Sequence, residues 1–169
     1  MGIGVVRSAT WLGLSLFLAL AAARPAEAQV EIEKILVRLD GVAITQLDVR
    51  RTRLLGLFSE ATVDDQVLRE LENRHLILNE VNLFPPAEPD PIEVAARRAA
   101  WTRRVGASAD LPERLRRAGM TDVALDAWFR DDLRVAAYID LRWGAMPEAD
   151  RPARIDGWIA ELRQRAGLR

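Results

Sequence analysis

The chain has one histidine, His75, and no cysteine. A thiol nucleophile, a disulfide or a zinc site on clustered His and Cys ligands therefore has almost nothing to be built from. His75 falls on the flank of an apolar helical stripe, where packing or hydrogen bonding is the ordinary role of such a residue. Two neighbouring carboxylates, Asp131 and Asp132, are the other candidates for proton chemistry. Asp132 lies between Trp128, Phe129 and Ala136 on the apolar side of a helix, whereas Asp131 points elsewhere, so the two do not form the facing pair that acid–base work requires. A carboxylate so placed needs an arginine or a helix-end N–H, because burying it unpaired costs too much. An enzyme would require His75 to meet Asp132 or another acid within about 3 Å. No Gly-rich loop ends in Lys and Ser/Thr, so ATP is not expected, and neither cofactor nor metal is implied. Arg97, Arg98, Arg103 and Arg104 make one helix surface basic, which a solvated face explains without a ligand.

The elements that must carry these residues start after a leader. Arg7 precedes a nearly unbroken apolar run over residues 9–23, and Ala26 and Ala28 are the small residues a signal peptidase reads, so residues 1–28 are expected to be a cleaved secretory signal. A retained membrane anchor is the competing reading. The apolar run is short for a span of about 20 residues, and its small-residue end favours cleavage. Removing Arg7, Arg24 and Glu27 from 24 basic and 25 acidic residues leaves 22 against 24, a formal net charge of −2, which argues against a nucleic-acid partner. Residues 29–169 suffice for a single domain with its own core.

Within that domain, residues 35–39 and 42–44 flank Asp40-Gly41, a pair suited to the two positive-φ positions of a tight hairpin. Thr45 and Asp48 form a capping pair for a first helix with Leu47, Leu54, Leu55 and Phe58 on one side. A second helix is expected from near Thr62 to about Asn82, burying Val63, Val67, Leu71, Leu78 and Val81. A proline-rich connection then leads to Asp90, Pro91 and Glu93, which fit N-cap, N1 and N3 of a helix presenting Ile92, Ala95, Ala99 and Thr102 inward. Asp110 starts a short helix with Leu111 and Leu115, ended by Gly119. Thr121 caps the longest one, whose inner face carries Leu125, Trp128, Phe129, Asp132, Ala136, Ile139 and Trp143. Ile155, Trp158, Ile159, Leu162 and Ala166 mark a last helix, with Gly167 as its left-handed terminator. The fold class that follows is mainly α: a compact multi-helix domain with a short N-terminal β-hairpin. Leu71, Leu78, Leu125, Trp128, Phe129, Trp143, Trp158, Ile159 and Leu162 are its expected core, and the last helix is expected to close on the hairpin and first helices.

Residues 35–49, ILVRLDGVAITQLDV, together with Leu115, Arg116, Gly119, Met120, Thr121, Trp128, Arg130, Leu133, Arg134, Tyr138, Ile139 and Arg142 and the final helix over residues 155–166, resemble the N-terminal chaperone region of SurA-type periplasmic folding factors and their trigger-factor-like relatives. The resemblance covers nearly all of residues 29–169. That family usually carries one or two parvulin-type isomerase domains between the long helix and the last helix, and only residues 144–150 stand there in this chain. What the resemblance implies is therefore binding and folding assistance without prolyl isomerisation, in the periplasm, toward extended apolar segments of unfolded exported or outer-membrane proteins.

A non-catalytic chaperone or holdase is the leading expectation. It needs an apolar groove left open on a stable helical scaffold, with Trp101, Phe58 and Phe84 as the aromatics that would face a client. An envelope domain with one dedicated protein partner is the alternative, distinguished by small and localised exposed apolar area; a peptidyl-prolyl isomerase ranks below both.

Overall fold

A computed structural model describes residues 33–59, 61, 63–106 and 110–168. The expected signal sequence, with its expected cleavage after Ala28, lies outside the described residues, as does Thr62. The chain is mainly helical, with a short two-stranded antiparallel hairpin near its start, as the hydrophobic periodicities require.

Strands β1 (Ile35–Leu39) and β2 (Val42–Thr45) pair with Leu39 opposite Val42, Arg38 opposite Ala43 and Val37 opposite Ile44. Asp40 at φ 48° and Gly41 at φ 83° make the two-residue turn whose twist matches a hairpin. Leu39 and Ile44 are buried where the hairpin lies on the second helix. Helix α1 (Gln46–Leu55) begins at a complete capping box. Thr45 Oγ1 accepts from the Asp48 N–H, and the Asp48 carboxylate accepts from the Thr45 N–H. It buries Val49, Thr52 and Leu55 and stops at left-handed Gly56, so Leu47 and Leu54 face solvent and Phe58 lies beyond the helix. The inward stripe is thus the one through Val49, not the one through Leu47.

Helix α2 (Asp64–Leu83) has Val63 at its N-cap with no side-chain cap. Its buried residues are Val67, Glu72, Leu76, Ile77 and Val81, whereas Leu71 and Leu78 are half-buried and Val63 is exposed. Helix α3 (Pro91–Arg104) starts at Asp90 with a capping box to Glu93. Its inward residues are Val94 and Trp101, not Ile92, which is 78 % exposed. Seven residues separate Val94 from Trp101, two helical turns, so the apolar bulk of an otherwise alanine- and arginine-rich helix falls on that line. Helix α4 (Leu111–Ala118) ends at left-handed Gly119, and Thr121 Oγ1 accepts from the Ala124 N–H at the start of α5 (Asp122–Trp143). Helix α6 (Arg151–Arg165) ends with the Leu168 N–H reaching back to the Arg163 carbonyl at 2.9 Å, beyond Gly167 at φ 71°.

Two apolar clusters hold these helices. One joins Leu55, Leu57, Val94, Trp101, Leu115, Ala118, Leu125 and Phe129, with half-buried Trp128 against it. The other joins Leu76, Ile77, Val81, Tyr138, Trp143, Trp158 and Leu162, with half-buried Ile159 against it. Helix α5 threads both, its first half in one and its second half in the other. Ala136, between them, is exposed. Helix α6 packs on α2 and the end of α5, with Arg163 on Glu72 at 2.9 Å and Arg165 on Glu80 at 2.9 Å. The last helix therefore closes the second cluster rather than sealing the hairpin. Its partner aromatics explain this: Trp158 meets Trp143 edge-on at 5.1 Å and stacks on Tyr138 at 5.9 Å, and both lie at the far end of α5. Among the described residues no helix is long and apolar enough to cross a membrane.

Candidate functional site

Between the two clusters α5 carries Asp131 and Asp132, and α2 answers them with Arg74. The Arg74 guanidinium carbon lies over the Trp128 ring, 3.9 Å from its centre, and the group donates to the Trp128 carbonyl at 2.8 Å and hydrogen-bonds the Asp132 carboxylate. Asp132 thus has the arginine partner its position demanded. Burial pushes its carboxyl above the usual carboxylate range, opposed by the charge and hydrogen bond of Arg74 and by the charge of Arg97. Asp131 is nearer this site than its helical position suggested, 3.9 Å from Arg74 and 3.2 Å from Arg134, and Arg134 also holds Asn82 at 2.8 Å.

Beside this polar waist opens a mostly apolar groove of about 330 Å³. Its walls are Val42, Ala43 and Ile44 of β2, Leu71 and Leu78 of α2, and Met120 with Trp128; Asp48, Arg51, Arg74 and His75 supply its polar groups. The α2 contribution is a stripe of two leucines with Arg74 and His75 between them. A stripe with a cation at its centre cannot sink into a core, which is why Leu71, Leu78 and Trp128 stop half-buried instead of joining the interior. At the rim, His75 Nε2 is 3.2 Å from Asn79 Nδ2, which also donates to Asp40 at 2.7 Å. His75 stands 3.9 Å from Asp40, and Asp132 is engaged by Arg74, so the structure does not bring His75 and Asp132 together as an acid–base pair.

The three aromatics expected to face a client have different fates. Trp101 is 4 % exposed: its indole N–H donates to the Leu55 carbonyl at 3.2 Å and its ring packs on Phe129 at 5.6 Å. It is a core residue, and its placement on a client surface is corrected. Phe58 is half-buried, edge-on to Trp128 at 5.5 Å, and borders a separate cleft with Gln66 and Glu70. Phe84 is 71 % exposed beside Leu83 at 68 %, at the end of α2. None of the three lines the groove, and the residues that do were not singled out for binding. The signal for them lay in the mixed stripe Leu71, Arg74, His75, Leu78.

A second and larger cleft, of about 570 Å³, runs between α3 and α5 past Ala95, Ala99, Arg98 and Arg130. Arg98 is already held by Asp122 and by Asp126 at 2.8 Å, so that cleft has no charge left over on this residue. Comparison with protein-family models, with curated proteins and with solved structures finds no match.

Proposed function

We propose that the protein is a non-catalytic, ATP-independent chaperone or holdase of the cell envelope that shields extended apolar segments of unfolded exported proteins. The observation that carries this reading is the groove at the hairpin, where half-buried Leu71, Leu78, Met120 and Trp128 stay open on a scaffold whose two cores are otherwise closed. Apolar surface held partly exposed on a rigid frame is what a tolerant binder needs, and a small groove supports weak, exchanging contact with many sequences. Support also comes from the leader-like residues 1–28 and from the resemblance of the hairpin, long helix and final helix to SurA-type folding factors. The direct run from α5 to α6 through residues 144–150 leaves no room for the parvulin insertions of that family, so isomerase activity is not part of the proposal.

The test is a parallel assay of client aggregation and proline-limited refolding, using protein free of contaminating isomerase. Delayed aggregation of an unfolded outer-membrane protein with unchanged refolding rate is expected. Absence of protection at several-fold excess would overturn the reading, and acceleration lost on His75→Ala would return the protein to the enzymes.

A further inference from the structure

The groove is bounded by three consecutive residues of one strand, Val42, Ala43 and Ile44. Successive side chains of a strand point to opposite faces, so a cavity that meets three in a row lies along the strand's edge, where backbone is on offer. The hairpin register states which groups are free. Leu39 and Val42 flank a two-residue turn and form the hydrogen-bonded pair, so the next pair, Arg38 and Ala43, is the non-bonded one, with its N–H and C=O groups directed away from the partner strand. Among the described residues the sheet has two strands, which leaves the Ala43 donor and acceptor on an unpaired edge beside the groove. The Thr45 N–H is not on offer, being taken by Asp48.

A second observation concerns charge. Of the ionisable groups lining the groove, Asp48 is spent on capping α1, Arg74 is held by Asp132, and His75 shares Asn79. Arg51 is the least engaged: it is ion-paired with Asp48, Nε to Oδ1 3.7 Å, but its Nε makes no hydrogen bond, and its side chain is 27 % exposed. The part-exposed guanidinium lines the groove with donor capacity to spare, and a carboxylate is the acceptor that matches it best.

Resting on the chaperone reading above, we propose that a client segment docks as an added strand on the Ala43 edge of β2, with an apolar side chain among Leu71, Leu78, Met120 and Trp128 and a neighbouring acidic side chain on Arg51. The preferred ligand class is thus an extended peptide with an apolar residue flanked by Asp or Glu. Main-chain pairing supplies affinity independent of sequence, and the pocket and Arg51 supply the preference. One backbone donor and one acceptor make a short ladder, which fits weak and rapidly exchanging capture.

The experiment measures binding of fluorescent eight-residue peptides to the purified protein by anisotropy, alongside the aggregation assay. The probes are an alternating apolar peptide with Glu beside its central Leu, the same peptide N-methylated at the backbone amide of that Leu and, separately, at each adjacent amide, and the same peptide with Lys for Glu. One N-methyl position should weaken binding about tenfold, the cost of a lost ladder bond with its partner left unpaired. The Lys peptide should also bind more weakly, and Arg51→Gln should abolish the difference between Glu and Lys. Equal binding of every N-methylated peptide overturns strand addition, and a Glu preference that survives Arg51→Gln overturns the charge assignment. Protection from aggregation without binding of any peptide overturns the inference while sparing the chaperone reading, whereas absence of protection removes the reading itself. N-methylation alters only the probe, so these outcomes do not depend on a variant folding.

Discussion

Replacing Arg74 by Met tests the contact that joins α2 to the middle of α5. Methionine keeps much of the unbranched apolar stem but removes the hydrogen bonds to Asp132 and the Trp128 carbonyl and the stacking of charge on the Trp128 ring. Leaving one member of a buried ion pair behind costs about 3–5 kcal/mol. The Asp132 side chain is 30 % exposed, so water recovers part of this and the expected loss at neutral pH is about 2–3 kcal/mol. Asp132→Asn in the same background removes the stranded charge, so the double variant should be more stable than the sum of the single losses by about 1–2 kcal/mol.

The pH dependence of this pair has a definite sign. A carboxyl whose folded pKa is raised binds more protons folded than unfolded between its two pKa values, so its contribution to stability falls as pH rises through that window and is constant above it. Loss of Arg74 widens the window, and the penalty of Arg74→Met should therefore shrink as pH is lowered from about 7 toward about 4. Urea unfolding followed by circular dichroism at several pH values reads both quantities. Coupling within about 0.5 kcal/mol of zero, or a penalty independent of pH, would refute the account of Asp132 as a carboxylate held charged by Arg74.

Trp158 is 5 % exposed between Tyr138 and Trp143, and Trp158→Ala should cost about 3–5 kcal/mol in urea unfolding; an unchanged midpoint would detach α6 from the second core. Trp101→Ala should cost a similar amount, about 3–5 kcal/mol, and leave peptide binding in the folded protein unchanged, whereas stable protein with weakened binding would return Trp101 to the client surface. Gly157 lies inside α6 with nothing within 4 Å of an added Cβ, so Gly157→Ala should raise stability by about 1 kcal/mol, measured as a higher denaturation midpoint.

Local chemistry made most of the fold legible. The Asp40-Gly41 turn, the capping boxes at Thr45 and Asp90, Pro91 at the first helical position and the left-handed terminators Gly119 and Gly167 each act within a few residues, and the structure places an element boundary at every one. What periodicity could not decide was which of two adjacent stripes faces inward. In α1 the choice lay between the line of Leu47 and Leu54 and that of Val49, Thr52 and Leu55, and in α3 between the small-residue line and that of Val94 and Trp101. Both choices turn on what the neighbouring helix offers. Trp101 is inside because Phe129 and the Leu55 carbonyl are there to receive its ring and its N–H.

The groove eluded the sequence for a related reason, since it comes from a mismatch between α2 and α5. Phe129 belongs to one core and Tyr138 to the other. Between them Leu133 packs on the first cluster and Val135 on the second, while Asp131, Asp132 and Arg134 interrupt the apolar side of α5 that α2 meets. Arg74 meets these carboxylates with a guanidinium whose carbon sits over the half-buried Trp128 ring. Leu71 and Leu78, about one helical turn to either side of Arg74, stay half-buried along the groove. The groove stays open because the Arg74–Asp132 pair, which cannot be buried as leucines are, sits between the two apolar clusters and beside these leucines.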